Sequence, residues 1–305
     1  MDTLFEDESR SGADAELEAV QAALYRLDPT GDRVATVIRH TLDQLYDGAN
    51  TGRYCFDQLH KTEKTHMGTL VEINLQREFN FNDGDVTDYR IAGAQIDCKY
   101  SMSAVWTLPP EVVGHLALLV TANDARSTWG AGILRITEDL LNSGRNRDAK
   151  ATLSKIGRSQ IRWMWRDHPG LAPNLFLQLD PMVRDRILSG RSGQARINEL
   201  FRSVQHRIIR RAEVMTVAQQ LDPMKRVRGN GGARQHLAKE GIVILGHMGD
   251  EPLMAERLGY SRPRSGEFIA VRQEEIEAPA TLPVSKTFEV KLTSCSGPAS
   301  SEMFK

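Results

Sequence analysis

The chain has 305 residues, with 39 Lys and Arg against 40 Asp and Glu, 40% apolar residues and a mean hydropathy of −0.40. This is the composition of a soluble globular protein long enough for about two domains. It contains no run of about 18 apolar residues, so no membrane span is expected. The first 18 residues, with seven acids and one Arg, do not read as a signal peptide. Cys55, Cys98 and Cys295 lie too far apart for a disulfide framework or a cysteine zinc site and fit a reducing cytoplasm.

Residues 1–13 read as a disordered acidic tail. From Asp14, Leu17, Val20, Ala23 and Leu24 recur at helical spacing. Asp32 suits the cap of a second helix (Val34, Val37, Ile38, Leu42, Leu45) that stops near Gly48. A third helix is expected over Met67–Glu78, and the polar stretch His60–Gly68 before it is either a loop or a phosphate contact through Lys61, Lys64 and His66. Thr87–Ile91 and Ala94–Tyr100 read as two strands around Gly93, followed by strands at His115–Val120 and Trp129–Ile136. Helices around 137–142 and 151–164 would cover this sheet, giving an α/β or α+β domain over residues 14–166. The Pro/Gly-rich Asp167–Pro173 opens a linker over 167–178. The second domain, 179–292, begins with a helix at Val183–Leu188. A longer helix over Gln194–Arg211 and strands at Ile242–Leu245, Phe268–Val271 and Phe288–Leu292 follow, and 293–305 read as a tail.

Asp97 and Lys99 are two apart on one expected strand and so share a face; Asp88 can meet them from the neighbouring strand. This is the D…(D/E)xK arrangement of metal-dependent DNA nucleases. Converging carboxylates suit Mg²⁺, a hard cation that takes oxygen ligands. Such a metal polarises a phosphate, and an adjacent lysine stabilises developing charge. An exposed hairpin with a surface ion pair satisfies the same short pattern. Glu72, on the third helix among apolar residues, either faces water or needs a partner, because an unpaired buried charge is costly.

Charge is unevenly distributed. Arg191–Lys239 holds eleven Lys/Arg and three Asp/Glu, a balance of +8, so the rest of the chain carries −1 − 8 = −9. Clustered positive charge points to a polyanion or to a solvated helix face. The helix over 194–211 would display Arg207 and Arg210. A second helix over Ala212–Gln220 leads to Asp222-Pro223, a cap and first helical position. A short basic helix (Met224, Lys225, Arg226, Val227, Arg228) would follow, closed by Gly229-Asn230-Gly231-Gly232. Helix, tight turn and basic helix make a helix-turn-helix. Arg226 and Arg228 can address guanine, while Gln219, Gln220 and Asn230 can address adenine or phosphate; Arg234 extends the set. A non-catalytic DNA-binding regulator would need this segment alone. A strand-passing enzyme would need a nucleophile, and none of the six tyrosines sits in an Arg/His constellation. The P-loop pattern is absent.

Six collinear stretches then resemble the NaeI-type restriction endonucleases: Leu42–Gly48, His60–Asn74, Ile91–Lys99, Gly193–Arg196, Thr216–Gln220 and Met224–Gly229. The resemblance spans most of residues 20–260 and fades at both ends, leaving the strands after about Gly266 without family roles. It implies a restriction-endonuclease-like N-terminal domain with a central mixed sheet. It also implies a C-terminal catabolite-activator-like helix-turn-helix domain with added strands. The implied catalytic set is Glu72, Asp88, Asp97 and Lys99. Asp88, Asp97 and the Cys98 carbonyl would ligate Mg²⁺, Glu72 would support it, and Lys99 would orient the attacking water. The resemblance further implies a homodimer that cuts both strands of a palindromic G·C-rich site to leave 5′-phosphates. A second DNA copy on the C-terminal domain would act as effector, and the host would need a cognate methyltransferase.

Overall fold

The computed structural model describes residues 14–278. The expected acidic tail, the strand at Phe288–Leu292 and the tail at 293–305 lie outside the described residues. The described residues divide into two compact units, the first comprising 14–41, 66–123 and 127–172, the second 42–65, 124–126 and 173–278. The main crossing at Ala172/Pro173 falls inside the expected linker. Residues 42–65, however, group with the second unit, because Tyr54 and Cys55 are buried among Leu175, Phe176 and Phe201. Asn174 reinforces this by donating to the Tyr54 carbonyl at 2.7 Å and to Asp124 at 2.8 Å.

In chain order the first 172 residues form α1 (Ala15–Leu27), α2 (Asp32–Tyr46), α3 (Gly48–Thr51), α4 (Lys61–Phe79), β1 (Asn82–Asp83), β2 (Tyr89–Ile91), β3 (Ala94–Tyr100), β4 (Thr107–Leu108), β5 (Leu116–Asn123), β6 (Thr128–Arg135), β7 (Leu141–Arg145), β8 (Ala151–Leu153), α5 (Lys155–Ser159) and β9 (Arg162–Pro169). Six strands make a sheet in the order β1-β2-β3-β5-β6-β9, with β3 and β5 parallel and every other pair antiparallel. β5 is almost wholly buried, as its unbroken run Leu116–Val120 requires of a central strand covered on both faces. The Asp14 side chain caps α1 by accepting from the Leu17 amide. α4 buries Met67, Val71, Asn74, Leu75 and Phe79, a stripe of helical period. It is tied to α2 by Asn74 donating to Thr41 Oγ1 at 3.0 Å.

Three expectations are corrected here. His60–Gly68 is the first turns of α4, with Glu63 accepting from the His60 amide. The helix expected at 137–142 is a 3₁₀ turn followed by β7. The single helix expected over 151–164 is instead strand β8, the short helix α5 and the start of strand β9. Ser154 caps α5, but Gly157 packs against the Leu140 carbonyl and the Leu153 side chain, and α5 ends at Ser159. Arg162-Trp-Met-Trp165 then runs extended and pairs with β6. A separate sheet, β4-β8-β7, shares buried Trp106, Leu108 and Leu153 with Ala117 and Leu119 of β5.

The second unit continues with α6 (Leu175–Gln178), α7 (Pro181–Leu188), α8 (Gly193–Ser203), β10 (Ile208–Arg210), α9 (Arg211–Ala218), a 3₁₀ turn at Pro223–Arg226, α10 (Ala233–Ala238), β11 (Ile242–Leu245), α11 (Glu251–Arg257), β12 (Glu267–Arg272) and α12 (Gln273–Glu277). The helix expected over 194–211 breaks after Ser203. Its β-branched Ile208 and Ile209 pair with Ile269 and Phe268 in a sheet of order β10-β12-β11. Gln219, in the left-handed region, ends α9. Asp222 then accepts from the Lys225 amide, as its position before Pro223 predicts. The basic helix expected next is only that 3₁₀ turn. A Cβ on Gly232 would collide with the Arg228 carbonyl, so the chain folds back there before α10 begins.

Candidate active site

β3 forms over the expected residues, and its register sets the site. Asp97 and Lys99 pair with Ala117 and Leu119 of β5 and share their face, while Ile96 and Cys98 face the other way. Asp88 lies one residue before β2 rather than within it. The ladder stops at Tyr89↔Ile96, and the next amide of β3 facing β2, that of Cys98, donates instead to Asp88 Oδ2 at 2.7 Å. That bond anchors the carboxylate beside β3. The loop before it is braced by Gln95, whose side chain bonds the Asp85 amide, the Asp85 carboxylate and the Thr87 hydroxyl.

Lys99 Nζ stands at the focus. It lies 2.7 Å from Asp97 Oδ2, 2.9 Å from the Cys98 carbonyl oxygen and 3.4 Å from Asp88 Oδ2. Burial pushes the Asp97 carboxyl up to about 6 and Asp88 adds to the shift, although Lys99 opposes both. Burial alone would lower Lys99, but Asp97 and then Asp88 outweigh it and hold the ammonium above its ordinary value. The two carboxylates thus favour the charged form of Lys99 in this arrangement. Burial also raises Glu72, with Asp88 and Asp97 pushing the same way and Lys99 opposing. Glu72 thus feels the cluster, and its backbone carbonyl accepts from the Tyr89 hydroxyl at 2.6 Å.

Tyr89 is the positioning residue that sequence reasoning missed. It is fully buried, and its hydroxyl fixes the α4 turn that carries Glu72 against β2. The signal was available: a tyrosine at an inward strand position needs a partner for its hydroxyl.

The oxygens fit a hard divalent cation in kind. Asp97 Oδ2 is buried, with the Lys99 ammonium 2.7 Å away as its ion-pair partner. The Lys99 ammonium itself occupies the meeting point of Asp97, Asp88 and the Cys98 carbonyl, the oxygens expected to hold the metal. Among the described residues no three His, Cys, Asp or Glu side chains converge as a ready metal cage, so Glu72 is a neighbour of the focus and not a third carboxylate at it.

The expected DNA-contacting residues of the second unit separate into exposed, half-buried and internally engaged sets. Lys225, Arg228 and Asn230 are exposed around the 3₁₀ turn, and Gln219 is exposed at the end of α9. Gln220 and Arg226 are half-buried, and the Arg226 carbonyl accepts from Gln194 at 3.0 Å. Three others are engaged internally. Arg207 bonds Gln178; Arg210 pairs with Asp43 at 2.9 Å and with buried Glu213; Arg234 forms a two-pronged pair with Glu251. On α4, Lys61 and His66 are exposed, while Lys64 lies 5.5 Å from the centre of the Phe56 ring.

A central mixed sheet carrying Asp97-Cys-Lys99 on an inner strand, with helical and strand layers about it, defines a restriction-endonuclease-like α/β unit. Residues 18–292 match the family described as restriction endonuclease NaeI. A curated relative, the type II restriction enzyme NaeI of Lentzea aerocolonigenes, is 56% identical over 266 residues, covering 85% of this chain and 84% of its own length. The chain belongs to the NaeI restriction endonuclease family, a family of site-specific DNA nucleases. The match runs well past Gly266, where the resemblance was expected to fade, so β12 lies inside the family region. Among the described residues no helix is long and apolar enough to cross a membrane.

Proposed function

We propose that this protein is a Mg²⁺-dependent, type IIE-like restriction endonuclease that cuts both strands of a palindromic G·C-rich site. The carrying observation is the gathering of Asp88, Asp97 and the Cys98 carbonyl around one cationic point, with Glu72 beside it. Asp88, Asp97 and the Cys98 carbonyl would hold Mg²⁺, and Glu72 would support its hydration. When bound, Mg²⁺ supplies the charge that polarises a phosphoryl oxygen and acidifies water. Lys99, whose charged form the carboxylates favour, orients the attacking water and stabilises negative charge on the phosphoryl oxygens. Attack in line leaves a 5′-phosphate and a 3′-hydroxyl.

The second unit serves as a helix-turn-helix domain that binds an effector copy of the site. Support comes from its element order, α8, β10, α9, capped turn, α10 and then the β11/β12 pair, and from Lys225, Arg228 and Asn230 exposed at the turn. A homodimer places two equivalent sites on two equivalent strands. Effector and substrate copies then raise each other's affinity reciprocally. The protein works in the cytoplasm beside a methyltransferase that protects host DNA.

The test is plasmid cleavage with Mg²⁺. Wild type should cut at one G·C-rich palindrome, faster when short duplexes of that site are added. Asp97→Ala should bind the duplex and leave it intact. A wild-type protein that cuts no G·C-rich palindrome overturns the reading.

A further inference from the structure

A second concentration of positive charge lies in the first unit, where neither the catalytic site nor the helix-turn-helix uses it. Leu141–Arg162 holds six Lys/Arg against Asp148 alone, a balance of +5, so the chain outside both basic segments carries −1 − 8 − 5 = −14. Half of the six are engaged: Arg145 with Glu138 at 2.8 Å, Arg158 with the Leu153 carbonyl at 2.7 Å, and Arg162 with Glu18 at 3.8 Å. Arg147, Lys150 and Lys155 are exposed, and no side-chain partner binds them among the described residues.

These charges sit on an ordered projection. β7 and β8 pair as an antiparallel ribbon, and every residue from Asn142 to Lys150 is exposed. Its turn is built by Asn146, whose side chain accepts from the Asp148 amide at 3.0 Å and the Lys150 amide at 2.9 Å. The backbone closes Asn146 to Lys150 at 2.9 Å, with Ala149 in the left-handed region. Charges placed only to blunt an exposed edge strand would line β7. Here Arg147 and Lys150 lie in the turn instead, and Lys155 lies beyond β8.

The ribbon also stands on the catalytic face. Asp97 and Lys99 share their face with Ala117 and Leu119, and those two pack with Trp106, Leu108 and Leu153 of the β4-β8-β7 sheet. β4 follows the catalytic strand after residues 101–106, and β8 pairs with it directly. Two strand spacings of about 4.8 Å put β7 about 10 Å from β4. That is comparable with a major groove about 12 Å wide, which admits a two-stranded ribbon.

We propose that the β7–β8 ribbon enters the DNA major groove beside the catalytic site, with Arg147 addressing a guanine edge and Lys150 and Lys155 holding flanking phosphates. This rests on the nuclease reading for its substrate, though the ribbon's affinity for duplex can be measured without cleavage.

The test uses the full chain. Plasmid cleavage by wild type first maps the site. Binding is then measured by fluorescence anisotropy, with Ca²⁺ replacing Mg²⁺, on the mapped duplex and on duplexes changed at one base pair. Arg147→Ala should lose about 5- to 150-fold on the mapped duplex and become indifferent at one base pair. Arg147→Lys should not restore discrimination, because an ammonium cannot make the two-pronged contact. Lys150→Ala and Lys155→Ala should weaken all duplexes alike and each reduce the salt slope by about 1. Their exposed positions keep melting at the wild-type temperature. Unchanged affinity, discrimination and salt slope in all of these variants overturn the proposal while leaving cleavage by wild type intact. If wild type cuts nothing but the lysine variants lose salt slope on a random duplex in metal-free buffer, the nuclease reading fails and the ribbon's DNA contact stands.

Discussion

Asp97→Asn should abolish cleavage and yet make the metal-free protein more stable. Asp97 is 5% exposed, and its carboxyl is pushed from 3.8 up to about 6, chiefly by burial. An acid raised in the folded state favours folding when protonated, so stability falls as pH rises from about 4 through about 6. Above that window the ionised carboxylate costs the fold about 3 kcal/mol, since each pH unit across it contributes about 1.4 kcal/mol. An asparagine carries no charge to desolvate and removes that cost. For a folding unit of 150–250 residues, about 2–4 °C per kcal/mol gives a rise of about 6–12 °C. Differential scanning fluorimetry in EDTA across pH 4 to 8 measures it. The advantage should be largest at pH 8 and nearly gone at pH 4. An Asp97→Asn protein that melts no higher than wild type at pH 8, or whose gain ignores pH, refutes the reasoning.

Lys99→Met removes the cation that Asp97, Asp88 and the Cys98 carbonyl surround; melting in EDTA should fall, and Mn²⁺ followed by electron paramagnetic resonance should bind more tightly than to wild type, although cleavage is lost. Arg210→Ala strips the partner from Glu213, which is 3% exposed and raised by burial to about 7. The expected loss is about 3–5 kcal/mol in a urea melt where Glu213 is ionised, shrinking as pH falls toward 7, because Glu213 without Arg210 takes up its proton at a higher pH than in wild type. Gly68 sits inside α4, where a Cβ would meet nothing within 4 Å, so Gly68→Ala should raise stability by about 0.5–1 kcal/mol in the same melt. In DNA titrations against salt, Lys225→Ala should lower the slope by about 1. Arg234→Ala, which breaks an internal pair with Glu251, should lower melting and leave the slope alone.

β3, the strand of the candidate site, was legible because alternation is a local property. Ala94–Tyr100 needs only its own residues to show which face Asp97 and Lys99 share, and β11 was read from its apolar run in the same way. What failed was decided by distant partners. Ile208 and Ile209 fit the helical stripe of α8 as well as a strand, and only pairing with β12 settles the choice. The 151–164 stretch carries apolar residues at mixed spacing, and pairing with β4, β7 and β6 overrides its helical reading. The membership of residues 42–65 could not be seen, since it depends on Tyr54 and Cys55 entering a core made by residues more than a hundred positions later.

Charge shows the same limit in a form that bears on function. The +8 of Arg191–Lys239 points to a polyanion site, but the fold decides which charges can reach one. Arg196 donates to the Val217, Ala218 and Gly190 carbonyls, two of them at the end of α9 where a helix dipole favours a cation. Arg202 holds Glu199 and Glu240, Arg210 holds Asp43 and Glu213, and Arg234 holds Glu251. Each such pair subtracts a cation from the surface field without changing the sequence sum. Among the described residues, the positive surface of this segment is therefore the remainder, the exposed Arg191, Arg211, Lys225, Arg228 and Lys239, of which Lys225 and Arg228 stand around the capped turn. A phosphate backbone responds to that remainder, because counterions are released only by cations that reach the phosphates.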